Sequence, residues 1–281
     1  MKIIKSLAVA ALSIATSLSL AGCGDKSNVI SVCASELPHA DVLENCVKDI
    51  LAEKGYTLEV TILDWSVQNQ SVAAGDYDAN YFQHVPYLEG DESAETLFAA
   101  CKVHYEPLGI YRGKSTGNLE DGKSFEICND TSNAIRAFQL LKEKGILSNI
   151  PVNEAGDKLT MTGSKYTEGD ITVTLIAENL LVSSLNDYDF GLLPCNTAYT
   201  GNVSKEKQVA KEDNPEQVSL KANIIAARKN DYLNNEIYKN KIDALVEALL
   251  SNEVSKYFDE AYNGTMTCDS SSQIDLRSLL K

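Results

Sequence analysis

Hydrophobic positions in this chain fall into short strand-like runs separated by stretches of helical spacing. Residues 29–33 (VISVC) form an apolar run of strand length. From Pro38, the positions Leu43, Cys46, Val47, Ile50 and Leu51 recur every three or four residues, and Gly55 stops the pattern, which predicts a helix. Leu58, Val60 and Ile62 alternate with Glu59 and Thr61, a strand ending at Asp64 and Trp65. Residues 68–74 fit a short helix, and residues 102–111 (KVHYEPLGIY) read as extended chain. This β-α-β-α order predicts a parallel or mixed sheet flanked by helices.

The pattern then begins again. Residues 125–128 read as a strand, and Asn129, Asp130, Thr131 and Ser132 supply cap residues for a helix over 133–144. Ile135, Phe138 and Leu141 share one face of that helix, and Gly145 ends it. Ile171, Val173 and Leu175 alternate with Thr172 and Thr174, and residues 190–193 form a further buried strand. Residues 205–216 read as a polar loop, 222–228 (ANIIAAR) as a strand, and 234–250 and 252–261 as closing helices. The chain thus crosses between two α/β halves near residues 108 and 220. This predicts one lobe from 29–107 and 220–281, with the other, 108–219, inserted into it. In such sheets, ligands sit beyond the carboxyl ends of strands, where helix N-termini present free N–H groups.

One segment fits neither period. DANYFQHVPYLEG, residues 78–90, places Tyr81, Phe82, His84 and Tyr87 within seven residues, closed by Pro86 and Gly90. A helix core spaces its apolar residues and a strand alternates them. Mixed rings, amides and an imidazole suit a pocket wall that holds something part apolar and part polar, or a turn with its rings tucked onto the core.

The first residues change the picture of where this chain resides. Lys2 and Lys5 precede a short apolar run, residues 7–20, and Leu20-Ala21-Gly22-Cys23 follows. The run is too short to span a hydrocarbon core about 30 Å thick, and it reads as a bacterial export signal over 1–22. LAGC resembles a lipobox, in which Cys23 is lipidated and becomes the mature N-terminus. Residues 23–28 then form a tether, and the lipid anchors the exported body to the cell membrane.

The formal net charge is −15, and removing Lys2 and Lys5 makes it −17. Such a surface repels phosphate backbones, which argues against nucleic acid. Beyond Cys23, six cysteines remain: Cys33, Cys46, Cys101, Cys128, Cys195 and Cys268. They allow either three bridges or free buried thiols, and the absence of CxxC removes the zinc-ribbon and thioredoxin signatures. The three histidines, His39, His84 and His104, form no close pair of metal-ligand spacing, which leaves metal capture a weak alternative. Walker A, Rossmann glycine and nucleophile-elbow patterns are absent, and nothing frames Cys33 and His39 as a hydrolase pair, so no enzyme and no cofactor is expected.

Four segments carry a resemblance: ANYFQHVPYL, VHYEPLGIY, NDTSNAIRA and ANIIAAR. They are similar to the NlpA/MetQ-type methionine-binding lipoproteins, the substrate-binding components of methionine ABC importers. The resemblance covers about residues 29–265. It implies a two-lobed periplasmic-binding-protein fold of type II: two mixed sheets flanked by helices, the lobes joined by two crossover segments. The implied partners are L-methionine or a related amino acid, and a membrane permease with a cytoplasmic ATPase.

Position by position, the resemblance implies thioether-contacting rings at Trp65, Phe82 and Tyr87, with His84 on the same wall. It implies a carboxylate-binding arginine at Arg136, in the first turn or so of its helix, and backbone-holding asparagines at Asn196 and Asn223. Pro38-His39-Ala40 matches the family's helix start. Several positions depart from the family: Trp65 replaces a tyrosine, Thr131 a proline, Ala134 and Ile135 glycines, and Lys221 an aromatic. Cys33, Cys128 and Cys195 stand where glycine, proline or small residues are usual. These changes leave room for another solute, such as D-methionine, a methionine-containing dipeptide or another apolar amino acid. Trp65, the single tryptophan, serves as core anchor or pocket ring on sequence grounds alone.

Overall fold

A computed structural model of the chain describes residues 26–214 and 220–280. The predicted export signal and Cys23 lie outside the described residues. Among the described residues, twelve strands form two six-stranded sheets. The first contains β1 (Val29–Ala34), β2 (Thr57–Ile62), β3 (Ala79–His84), β4 (Leu97–His104), β11 (Asn223–Arg228) and β12 (Ile274–Asp275), in the order β12-β4-β11-β3-β1-β2. The second contains β5 (Leu108–Arg112), β6 (Ser124–Cys128), β7 (Lys165–Glu168), β8 (Ile171–Ile176), β9 (Phe190–Pro194) and β10 (Gln208–Lys211), in the order β10-β5-β9-β6-β8-β7.

Both sheets are mixed. Strand β1 runs parallel to β2 and β3, whereas β11 is antiparallel to β3 and β4. Likewise β6 is parallel to β8 and β9, and β5 is antiparallel to β9 and β10. The chain leaves the first sheet after His104, enters the second at Leu108, and returns between Lys211 and Asn223.

Helices cover the sheet faces: α1 (Lys48–Glu53), α2 (Trp65–Ala74), α3 (Val85–Glu89), α4 (Thr131–Glu143), α5 (Leu181–Ser184), α6 (Cys195–Thr200), α7 (Lys229–Asn234), α8 (Glu236–Leu249) and α9 (Asn252–Tyr262). The helix predicted from Pro38 is instead a π-wound turn, Glu36–Ala40, and a π-wound stretch, Leu43–Val47, leading into α1. Central parallel strands are covered on both faces and therefore read as apolar runs. Ile30 and Val32 of β1 are fully buried with Leu43, Leu51, Leu245 and Phe258 in one core. Phe125, Phe138, Leu141 and Phe190 fill the other, where Phe125 and Phe190 stack with centroids 5.7 Å apart. Each such side chain contributes roughly 1.5–3 kcal/mol by leaving water. The two-lobed α/β architecture read from the sequence is the one observed.

Three local readings are corrected. The segment ANYFQH, which fits neither period, is a central strand, β3, rather than a turn. Its polar members are buried in a closed amide network: Asn80 Nδ2 donates to Asn69 Oδ1 (2.9 Å), Asn69 Nδ2 to Gln83 Oε1 (3.0 Å) and Gln83 Nε2 to Asn80 Oδ1 (2.9 Å). Amides that satisfy one another can stand where alternation demands apolar residues. The polar loop at 205–216 contains the edge strand β10 and the buried Glu212. Helix α4 starts at Thr131, capped by Asp130, so Arg136 lies in its second turn rather than its first. All six cysteines among the described residues are free thiols, which leaves no disulfides there. Among the described residues, no helix is long and apolar enough to cross a membrane.

Candidate functional site

Strand register sets the first half of the site. Asn223, the first residue of β11, pairs with His84 at the carboxyl end of β3 and with His104 at the carboxyl end of β4. The first crossover begins at once, so Glu106 follows His104 by two residues and joins the same row. His104 lies between Tyr81 and Glu106: Nδ1 meets the Tyr81 hydroxyl, and Nε2 meets Glu106 Oε1 at 2.9 Å. His39, from the π-wound turn, meets Asn223 Oδ1 at 3.0 Å through Nε2.

Helix starts supply the rings. Trp65 opens α2 behind its cap, Asp64, which accepts the Ser66 N–H at 3.0 Å. His84 caps α3 by accepting the Tyr87 N–H at its Nδ1, so its proton sits on Nε2, which donates to Asn133 Oδ1 at 3.2 Å. Capping thereby aims Tyr87 back toward Trp65 and Phe82. Tyr87 meets both edge-on, with centroids 5.7 and 5.6 Å apart.

The second sheet supplies the facing wall. Asn133 and Arg136 come from α4, after β6; Glu178 follows β8; Asn196 follows β9 on α6. All seven sequence-predicted residues, Trp65, Phe82, His84, Tyr87, Arg136, Asn196 and Asn223, line one cavity between the sheets. Its volume is about 530 Å³ with the open mouth included. Glu106, Asn133 and Glu178 line it as well. Glu106 and Asn133 lay within quoted segments, whereas Glu178 follows a strand without any motif to mark it.

Arg136 is not a free surface arginine. It is buried, and Glu212 grips it two-pronged: Nε donates to Oε1 at 2.8 Å and Nη2 donates to Oε2. Nη2 also donates to the Glu106 carbonyl at 2.7 Å, while Nη1 takes no part in these bonds. Glu212 accepts the Leu108 N–H and the Tyr105 hydroxyl too, which binds the crossover to α4. The carboxylate clamp expected of Arg136 is thus already half engaged, and nothing in the polar spacing of residues 205–216 pointed to Glu212.

Burial sets the charges. It lowers His39 to about 4 and His84 and His104 to about 3, so all three imidazoles are neutral at pH 7. Burial raises the Glu106 and Glu178 carboxyls to about 7. It also lowers Lys221 to about 8, with Arg136 adding repulsion. His39, His104 and Glu106 place their ligating atoms within 4.8 Å of one another. His39 Nε2 and both His104 nitrogens already serve a hydrogen-bonded chain through Asn223, Glu106 and Tyr81, which a metal held between these side chains would have to break. The cavity instead offers an aromatic surface, amide groups, one guanidinium nitrogen and two carboxylates, a set that suits a small zwitterion with an apolar body.

The sequence profile of the NlpA lipoprotein family matches residues 30–268. The chain belongs to that family. As a family member it is a substrate-binding lipoprotein rather than an enzyme. It is similar to the methionine-binding lipoprotein MetQ of Bacillus subtilis, 31% identical over 278 residues that span 93% of this chain and 98% of that protein. The D-methionine-binding lipoprotein MetQ of Salmonella typhi is 27% identical over 263 residues, spanning 88% of this chain and 92% of that protein. Among solved structures, a lipoprotein from Ruminococcus gnavus superimposes with a TM-score of 0.75 at 34% identity, covering 86% of this chain and all of that one. A nutrient binding protein from Burkholderia cenocepacia bound to methionine gives a TM-score of 0.74 at 25% identity, covering 85% of this chain and 99% of that one.

Proposed function

We propose that this NlpA-family lipoprotein captures methionine between its lobes and delivers it to an ABC importer, a permease with a cytoplasmic ATPase, while a lipid on Cys23 holds it at the membrane. One observation carries the reading: three rings from the first lobe and Arg136 and Asn196 from the second line the same cavity. Sulfur is polarizable and favours aromatic edges, at roughly 0.3–1.5 kcal/mol per contact, so Trp65, Phe82 and Tyr87 prefer a thioether to an aliphatic chain. The ligand carboxylate meets Arg136 Nη1 and the asparagine amides, and the ammonium meets Glu106. Contacts on both lobes are what make closure depend on ligand. The relatives' names support the solute, and the D-methionine binder among them makes stereochemistry part of the test.

Thermal unfolding of the full-length protein in detergent, with each amino acid in turn, tests the proposal. Methionine at about 100 times its dissociation constant stabilises the fold by about 2.7 kcal/mol. A shift with L- or D-methionine, and none with norvaline or alanine, is the expected result. No shift with either methionine beside a clear one for another solute overturns it.

A further inference from the structure

Two carboxylates line the cavity, yet an α-amino acid brings one ammonium group to them. Glu106 sits among Arg136, Asn223, His39 and His104, where the proposed head group lies. Glu178 reaches the cavity from the opposite lobe, just beyond the carboxyl end of β8. Thr197 Oγ1 donates to its Oε1 at 3.1 Å, and that is the one hydrogen bond of the Glu178 carboxyl group among the described residues. The groups around it are acidic or neutral: Asp64 at the start of α2, Tyr87 on α3, Glu106 on the crossover, Asp130 at the cap of α4 and Thr197 on α6. Arg136, the cationic side chain lining the cavity, is already matched by Glu212. Glu178 is partly buried, and a desolvated carboxylate without a cation is unfavourable unless a ligand supplies one.

The partners it shares the cavity with indicate the kind of cation. Trp65, Phe82 and Tyr87 present a cluster of ring surfaces, and Glu178's charge reaches Tyr87. Rings beside a carboxylate suit an onium group, which has no N–H to donate and is held by ring faces and by charge. A primary ammonium would need several acceptors fixed around it, whereas Asp64 and Asp130 already cap α2 and α4, Glu106 serves the head group, and the rings accept none.

We propose that Glu178 is a specificity-determining residue that fits the cavity to an amino acid whose side chain ends in a methylated onium group, with the methyl sulfonium form of methionine as the simplest member. The inference rests on the amino-acid reading above and extends it from the neutral thioether to its cationic relative. Ring–onium attraction adds to the ion pair with Glu178, while the head group keeps Arg136, Asn196, Asn223 and Glu106.

Calorimetric titration of the full-length protein in detergent with L-methionine and with S-methyl-L-methionine tests it, for the parent, Glu178→Gln and Glu178→Asp. The parent binds both. In Glu178→Gln the ratio of sulfonium to methionine affinity falls about tenfold or more, and Glu178→Asp restores part of it. Methionine binding to each variant reports that its pocket is folded. A ratio that falls less than about threefold in Glu178→Gln, or a parent that binds methionine and not the sulfonium, overturns this inference alone. Binding of neither ligand to the parent overturns the amino-acid reading and this one together.

Discussion

Arg136 shows how one side chain serves both fold and pocket. Its Nε and Nη2 hold Glu212 and the crossover carbonyl of Glu106, so one edge of the guanidinium is structural. A charge taken out of water with its partner removed destabilises strongly. Glu212→Ala is therefore expected to lower unfolding free energy by about 3–5 kcal/mol in urea titrations. A loss below about 1 kcal/mol would show the pair to be solvated and the clamp to be free for ligand. The Trp65 indole is half-buried, against Tyr87. Trp65→Ala is expected to weaken methionine binding up to about tenfold, equivalent to one sulfur–ring contact at the upper end of its range, in calorimetric titrations. Unchanged affinity would place the indole in the core rather than in the pocket wall.

At the scale of elements, helix caps do much of the positioning. His84 ends β3, caps α3 and, through Asn133 on α4, bridges the two lobes. Asn133→Ala removes that bridge, worth about 0.5–1.5 kcal/mol. It is expected to enlarge the ligand-free radius of gyration in solution scattering and to weaken methionine several-fold; an unchanged profile and affinity would mean that closure does not use this bond. The same elements show what was legible in the sequence. Strands β1, β6, β9 and β11 were visible as buried apolar runs, and β2 and β8 by the alternation of their apolar residues. Strand β3 was not, since Asn80 and Gln83 satisfy each other and Asn69 inside the sheet. Every residue of the predicted ring wall and facing wall came to one cavity, because those positions sit in motif segments at strand ends. Glu212 stayed hidden because a single glutamate in a polar stretch has the same pattern whether it is solvated or buried, and Glu178 because a lone glutamate after an apolar strand carries no motif.

Across the whole molecule, buried titratable groups of opposite kind offset each other. Burial raises Glu106, Glu126 and Glu178 to about 7, so each favours the fold most below pH 4.5, and that advantage is lost as pH rises to about 7. Burial lowers His39 to about 4 and His84 and His104 to about 3, so each favours the fold above pH 6.5 and loses that advantage on acidification. Three slopes of each sign overlap, and the melting temperature is expected to be nearly flat between about pH 5 and 6.5, then to fall below about pH 4.5, where the histidines and the carboxyls held below their ordinary values, such as Glu212, Asp189 and Asp243, pull in the same direction. Glu178→Gln removes one acid, so its melting temperature should drop on acidification within the window where the parent is flat. A steep slope in the parent across that window would contradict the burial of one of these two sets.

The central claim is that rings from one lobe and Arg136 from the other enclose a single amino acid, and a crystal structure of the protein with bound L-methionine tests it most directly. The account predicts the thioether against Trp65, Phe82 and Tyr87, with the carboxylate at Arg136 Nη1 and Asn196. Methionine bound outside this cavity, or reversed in it with the carboxylate among the rings, would contradict it.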